Sequence, residues 1–413
     1  MRYAYLKTNH AVKELERVSA NPDNVPEGGP DAYVAHFVRL TDGNPGLVLS
    51  VHFQPEQDAY IRRGNVEAYS FYWCSRLLKR FGSIAEKPAG TIVRRLVVSM
   101  RIYWLLFRFR PTHLLCWAHS FPLWAAYLAA RSCRARFVYS RHNRILGGND
   151  PLYLRLTNAI DRWIIRHADA VVVHGPYLRD QLLQVGISAD RLVEYNWGFR
   201  HLVEQSQDDH EVPDINKNGA TRIVLYIGRI EETKGVFDLL HACANRLSAD
   251  PHTKLVYVGD GTDLARLRSL VSEIGLGRNV QLLGMVPHRL LGGVIRQSTI
   301  VVTPTQTSFP EGRCMATMEG LIMGVPVVAP DWGPFPYLVK HEYNGLLYNA
   351  DSIADLKFSI ERVLEDASLR ARLQTGARES GARLCDVKVN FSQTVKTAFD
   401  IAGTSLRVDN KAS

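Results

Sequence analysis

The 413-residue chain has no C-x-x-C pair: its six cysteines, Cys74, Cys116, Cys133, Cys243, Cys314 and Cys385, stand apart. That spacing excludes a disulfide scaffold, and the thiols are read as reduced, in a cytosol. Behind Met1 there is no secretory apolar core, because charged residues interrupt the first twenty. The nearest approach to a membrane span, residues 111–130, lacks acids, lysine and arginine. Its proline, threonine, serine and two histidines fit a strand, a loop and a short helix better than a span. H-E-x-x-H, clustered Cys/His and Asp-x-Asp arrangements are missing in any convincing context, so no metal is expected. No RRM, helix-turn-helix or zinc signature supports nucleic-acid binding either.

What is present is an ordinary globular composition, 46% hydrophobic and 22% charged, which excludes wholesale disorder, collagen and coiled coil. The length suits two or three domains at roughly 150 residues each. The formal charge of +9 is unevenly placed: residues 1–200 hold 27 Lys and Arg against 16 Asp and Glu, and the remainder 23 against 25. Such asymmetry suits a partner of negative charge, whether nucleic acid, an anionic membrane surface or a phosphorylated substrate. Residues 91–110 are apolar nearly all round, carry five arginines and no acid, and end in Tyr103, Trp104, Phe107 and Phe109. A helix of this kind either lies at an anionic lipid interface or is buried with its arginines reaching the surface.

After residue 90, short apolar runs alternate with amphipathic stretches, the pattern of βα units. Examples are 114–117, then 123–131, then 137–140, and 170–174 followed by 177–185. The class is α/β. Residues 204–220 are polar and acidic without apolar periodicity and read as a linker. The pattern restarts with a strand at 222–227, a helix at 236–247 and a strand at 254–258.

The segment 303–324 carries the most chemistry, with PTQTSFPEGRCMATMEGLIMG at its core. Gly324 and Pro326 stop a helix that begins near Arg313, so Glu311 lies in the loop ahead of it and Glu319 two turns along. A helix start offers free N–H groups and the positive end of a dipole, which suits a phosphate or a developing negative charge. One carboxylate there can meet a sugar and the other ribose hydroxyls. Two glutamates separated by seven residues resemble the donor-site signature of retaining GT-B glycosyltransferases, most closely glycosyltransferase family 4. Upstream, LYIGRIEETKG resembles the family's strand-loop-helix, which implies Arg229 and Lys234 on the donor diphosphate. Two cations there neutralise a departing nucleoside diphosphate without a metal. LVYVGDG, the stretch 282–305 and NGLLY follow in the family's order, so the resemblance covers about residues 222–348. It implies donor contacts from Gly312, Arg313, Cys314 and Met315 at the junction, a sugar-positioning role for Glu311 and a ribose contact for Glu319.

The amino half matches more loosely. Gly28-Gly29, followed by helix-like 31–39, resembles the family's glycine-rich loop near the transferred sugar and phosphate, although a polar stretch of about twenty residues precedes it. FVYSRHNRI aligns with the segment whose histidine, here His142, the family places beside the donor sugar; Arg141 and Arg144 flank it. The segment ending in Asn196 and Gly198 resembles the last strand, helix and closing turn of the amino domain. Departures are Arg313-Cys314 after Glu311-Gly312, Gly320 in place of alanine after Glu319, and Pro334 and Tyr337 in the loop near Gly333. Cys314 is expected to be a small buried residue rather than a nucleophile.

The resemblance implies two Rossmann-like domains with parallel sheets facing across a cleft. The expected bounds are an acceptor-binding domain at 1–200, a linker at 201–220, a nucleotide-sugar domain at 221–388, and a terminal helix and tail at 389–413 that pack back on the first domain. The implied reaction is sugar transfer with retention from a UDP-, GDP- or dTDP-linked donor to an acceptor hydroxyl, without further cofactor. A polyprenyl-diphosphate-linked oligosaccharide is the favoured acceptor, in polysaccharide biosynthesis, with the enzyme cytoplasmic and peripheral on the inner face of the membrane. The alternatives are a GT-B enzyme on a soluble acceptor and a non-catalytic sugar-nucleotide-binding protein.

Overall fold

A computed structural model describes residues 1–8, 10–20, 30–52, 58–72, 88–142, 152–195, 211–216, 221–385 and 391–409. Gly28, Gly29, Arg144, Asn196 and Gly198 lie outside the described residues. The chain divides into two units, Met1–Trp197 with Val389–Ser413, and Gly198–Lys388.

In the first unit the order is β1 (Tyr3–Thr8), α1 (Ala11–Ala20), α2 (Pro30–Thr41), β2 (Gly46–His52), β3 (Ala59–Arg63), β4 (Val66–Tyr72), α3 (Pro88–Phe109) and β5 (His113–Cys116). It continues through α4 (Ser120–Cys133), β6 (Arg136–Arg141), α5 (Leu152–Arg166), β7 (Ala170–His174), α6 (Pro176–Gln184) and β8 (Leu192–Tyr195). The sheet runs β3-β4-β2-β1-β5-β6-β7-β8. Every neighbouring pair is parallel except β3 with β4, an antiparallel edge hairpin turning at Gly64-Asn65. Strands such as AVVVH in β7 are buried on both faces, as parallel strands covered by helices must be. The polar stretch ahead of the glycines holds α1, which buries Ala11, Val12, Leu15 and Val18. Its Glu14 is buried too, where it meets the equally buried Lys7 of β1 in an ion pair. Residues 111–130 form β5 and most of α4, and among the described residues no helix is long and apolar enough to cross a membrane.

The second unit comprises β9 (Arg222–Ile227), α7 (Val236–Ala249), β10 (Thr253–Val258), α8 (Leu264–Glu273), β11 (Val280–Gly284), α9 (His288–Arg296) and β12 (Ile300–Val302). After these come α10 (Met315–Ile322), β13 (Val327–Pro330), α11 (Phe335–Leu338), β14 (Gly345–Tyr348), α12 (Ile353–Glu365) and α13 (Ala367–Cys385). Its six strands are all parallel, in the order β11-β10-β9-β12-β13-β14. The end of the stretch read as linker belongs to this unit. Ile215 is fully buried, its N–H donates to Gln297 Oε1 at 3.0 Å, and Val212 packs within van der Waals reach of Gly293.

The chain then returns to the first unit with α14 (Phe391–Asp409), which packs on α2, β6, β7 and β8. Each unit therefore has its own core. One centres on Leu6, Leu49, Leu114, Phe137 and Val171, the other on Val224, Leu255, Ile300, Val328 and Leu346.

Candidate functional site

In the second unit the strand order reverses between β9 and β12, because connections from β9 run one way to β10 and later strands fill the other side. In open α/β sheets the crevice beyond the strand ends at such a reversal is where ligands bind. The loops leaving β9 and β12 carry Arg229, Lys234, Glu311, Gly312, Arg313 and Cys314 and lead into α10 at Met315, so seven of the expected positions share this switch point.

Lys234 ends a short 3-10 turn, Glu232–Lys234, and Gly235 behind it adopts a left-handed φ of 73°. A Cβ at Gly235 would stand 1.9 Å from the Pro304 carbonyl oxygen, so only glycine lets this turn press against the β12 loop. Across that contact the Gln306 N–H donates to the Thr233 carbonyl at 3.0 Å, and Gln306 Nε2 donates to Asp238 at 2.8 Å. The two loops are thereby fastened together. Lys234 Nζ then donates to Glu311 Oε2 at 2.6 Å, with both side chains largely buried. The same ammonium lies over the face of Phe309, and the Arg229 guanidinium lies 5.2 Å from that ring's centre. Arg229 donates to Glu231 Oε1 at 2.7 Å and stays more than half exposed.

The helix α10 begins at Met315 with Cys314 as its cap, two residues later than Arg313. Arg313 is buried, and its Nε donates to Met318 Sδ at 2.9 Å, which tucks the departure from the family pattern against the first turns of α10. Gly312 is buried and Met315 partly so. Burial, with Glu311 nearby, pushes the Cys314 thiol up to about 11, so it is a protonated packing residue. Glu319, only 4% exposed, receives His288 Nε2 at 3.2 Å from the first residue of α9. Gly320 has a packing reason. A Cβ there would lie 3.1 to 3.2 Å from side-chain atoms of Val327 and Val301, so its absence lets α10 sit closer to β12 and β13. In the loop near Gly333, Trp332 Nε1 donates to the Thr305 carbonyl at 2.9 Å, tying this loop too to the one after β12.

His142 belongs to the first unit, one residue beyond β6. Its Nδ1 shares hydrogen bonds with the Tyr33 hydroxyl at 2.8 Å and the Tyr195 hydroxyl at 3.2 Å, and its Nε2 with Ser140 Oγ at 2.8 Å. The Trp117 ring lies 3.9 Å away, centre to centre. Burial first, then the charge of Lys7, with His119 and Arg141 also close by, holds this imidazole well below its usual range, so it is neutral near pH 7.

Sequence reasoning missed Phe309, Glu231 and His288. An aromatic two residues before Glu311 and an acid two after Arg229 were signals at short range. His288 reaches Glu319 only through the packing of α9 on α10, so its pairing had no local signal.

Two Rossmann-like sheets, with a cationic loop, a helix start and two buried glutamates at the second unit's switch point, define the GT-B glycosyltransferase class. Solved structures agree on the fold. HepE of Anabaena, crystallised with UDP, superposes with a TM-score of 0.62 at 17% identity over 99% of this chain and all of its own. Sucrose-phosphate synthase of Thermosynechococcus elongatus gives 0.65 at 19% identity over the full length of both. Residues 207–380 match the family described as Glycosyl transferases group 1, and residues 76–194 match Glycosyltransferase Family 4. The two matched stretches, set in this fold, support a glycosyltransferase of the family 4 type. Among curated relatives, a D-inositol 3-phosphate glycosyltransferase of Corynebacterium jeikeium is 30% identical over 170 residues, 40% of each chain. An alpha-D-kanosaminyltransferase of Streptomyces kanamyceticus is 24% identical over 61% of this chain and 67% of its own. The first match thus spans well under half of that relative's length, the second about two thirds.

Proposed function

We propose that this chain moves a sugar from a nucleotide-diphosphate donor to an acceptor hydroxyl with retention of anomeric configuration. The observation that carries this reading is the Lys234–Glu311 pair, 2.6 Å apart at the switch point and next to the start of α10. Lys234 and Arg229 would take the diphosphate, the first-turn N–H groups of α10 would add donors, and Glu319 would hold the ribose. As the bond from the anomeric carbon to the phosphate oxygen breaks, its electron pair leaves with the diphosphate, where those cations sit. The acceptor oxygen bonds to the carbon on the same face, and its proton passes to the departing phosphate oxygen. Glu311 would position the sugar and steady positive charge on its ring. The resemblance also gives His142 a sugar contact; both of its ring nitrogens are already hydrogen-bonded, so that contact would require exchange with Ser140 or the two tyrosines. No metal is required, because the two cations carry the charge a divalent ion would.

The acceptor we favour is a polyprenyl-diphosphate-linked oligosaccharide, with the enzyme peripheral on the inner face of the cytoplasmic membrane. Its support is the positive first half and the arginine-rich apolar helix α3. A second reading, a soluble acceptor, draws on relatives whose names specify small molecules such as D-inositol 3-phosphate. Thermal stabilisation by UDP-, GDP- and dTDP-sugars identifies the donor, since a ligand of the native form alone raises its apparent stability. Turnover of that donor with lipid-linked and with soluble acceptors then separates the two readings. No stabilisation by any of the three would sink the proposal.

A further inference from the structure

Helix α3 is apolar on two faces. Val98, Ile102 and Leu106 recur every fourth residue and pack into the core of the first unit. A second stripe, Leu96, Met100, Trp104 and Phe107, faces outward, with Met100 70% and Trp104 54% exposed. Beside it α4 leaves Leu128 58% exposed, and between the two helices runs an open groove of about 400 Å³. Its lining from α3 and α4, including Leu96, Met100, Trp104, Trp124 and Leu128, is almost wholly apolar. One lining group is polar and unsatisfied: the Ser99 hydroxyl is buried without a hydrogen-bond partner. The other polar groups there are engaged, Trp124 Nε1 with Asp161 at 2.8 Å and the Tyr103 hydroxyl with Ser132 at 3.3 Å.

Charge says what such a groove would take. From residue 87 to residue 149 the sequence holds ten arginines and one lysine and not one acid. Arg108 stands exposed on α3 itself, as does Arg101, which donates to Asp58 at 2.6 Å, and the Arg108 guanidinium lies 5.3 Å from the centre of the outward Trp104 ring. Apolar side chains flanked by arginines, on a helix too polar to cross a bilayer, match an element that lies in the plane of an anionic interface. A soluble protein partner of the same charge complementarity would present acids, which do not need a narrow apolar slot between two helices.

We propose that the α3–α4 face docks on an anionic phospholipid bilayer and that the groove receives one acyl chain of an anionic phospholipid. The arginines meet the headgroup phosphates, and the Ser99 hydroxyl supplies a donor for the ester carbonyl at the head of the chain. This names the contact surface for the membrane-linked acceptor proposed above and rests on that reading. Its test uses no donor, so the two can fail separately.

The experiment is co-flotation of the full chain with vesicles of phosphatidylglycerol and phosphatidylcholine, or of phosphatidylcholine alone, together with tryptophan quenching by lipids brominated in the acyl chain. Expected are binding to the anionic vesicles only, at least a tenfold loss of it in Met100→Glu and Leu128→Glu, and acyl-bromine quenching that falls when Trp104 and Trp124 are each changed to phenylalanine. Both glutamate substitutions fall at exposed positions, and an unchanged melting curve shows that they fold. Binding without acyl-chain quenching overturns the groove. Equal binding to both vesicle types, no binding to either, or a concentration-dependent dimer abolished by Met100→Glu overturns the docking surface.

Discussion

The ammonium of Lys234 lies 3.8 Å above the centre of the Phe309 ring. A cation over an aromatic face is worth about 0.5 to 2 kcal/mol, and under the proposed function it also fixes where the charge would meet a diphosphate. Phe309→Leu should therefore weaken nucleotide-diphosphate binding by roughly two- to thirtyfold, with Phe309→Tyr close to wild type. Calorimetric titration with UDP, GDP or dTDP checks this. Equal affinity of Phe309→Leu and wild type would remove the ring from the binding account.

Lys234 and Glu311 make a pair that should separate stability from function. Lys234→Met leaves the largely buried Glu311 carboxylate without its partner, which should cost on the order of 3–5 kcal/mol in stability. Adding Glu311→Gln should restore most of that in denaturant unfolding. Turnover should remain down by roughly two to three orders of magnitude in either single variant and in the double, because a transition-state contact is missing in each. A double variant that regains activity would show the pair to be structural.

Acid should loosen the first unit. Burial, aided by neighbouring cations, holds His113 at about 4, His119 at about 3 and His142 well below the usual imidazole range. Folded, these rings stay neutral where an unfolded chain takes up protons near pH 6.5. Their contribution to stability is therefore fully present above pH 6.5 and is lost as pH falls toward 4 and below. The slope is about 1.4 kcal/mol per pH unit for each fully shifted histidine. Chemical unfolding between pH 7 and 4, followed with proton uptake, should show stability falling in this window. His113→Gln should flatten the slope, and a pH-independent midpoint would contradict the argument.

Phe391 clasps the surroundings of His142. Its ring centre lies 5.0 Å from that of Tyr33 and 5.1 Å from that of Tyr195, the two tyrosines bonded to the imidazole. Phe391→Ala should cost about 3–5 kcal/mol and let both hydroxyls move. Imidazole chemical shifts of His142 read the second effect. Loss of stability with unchanged shifts would make Phe391 a packing residue only.

Much of this was legible in the residues. Runs such as AVVVH announce buried parallel strands, and β9 and β7 fall where periodicity puts them. The glutamate spacing and GRIEETKG mark these loops through their resemblance to family 4, and the strand order then puts both at the second unit's switch point. Helix ends were harder: Arg313 reads as the start of α10, yet its side chain turns back to Met318 and Cys314 takes the cap. Ile215 and Val212 are two apolar residues in otherwise polar company, too few to show a period, so little nearby signals that Ile215 is buried. The antiparallel β3–β4 hairpin hid for a related reason, since AYIRR is polar enough to pass for loop. The pairing of His288 with Glu319 depends on two helices meeting, which no short window of sequence contains.

The second unit is continuous in the chain, whereas the first is closed by α14 from beyond it. On the ribosome, the second unit can complete its core while the first still waits for Phe391, Val395 and Phe399 to emerge. Dissecting the molecule must respect this order: cutting after Trp197 yields an incomplete fragment. A self-sufficient first half needs residues 389–409 grafted back onto it.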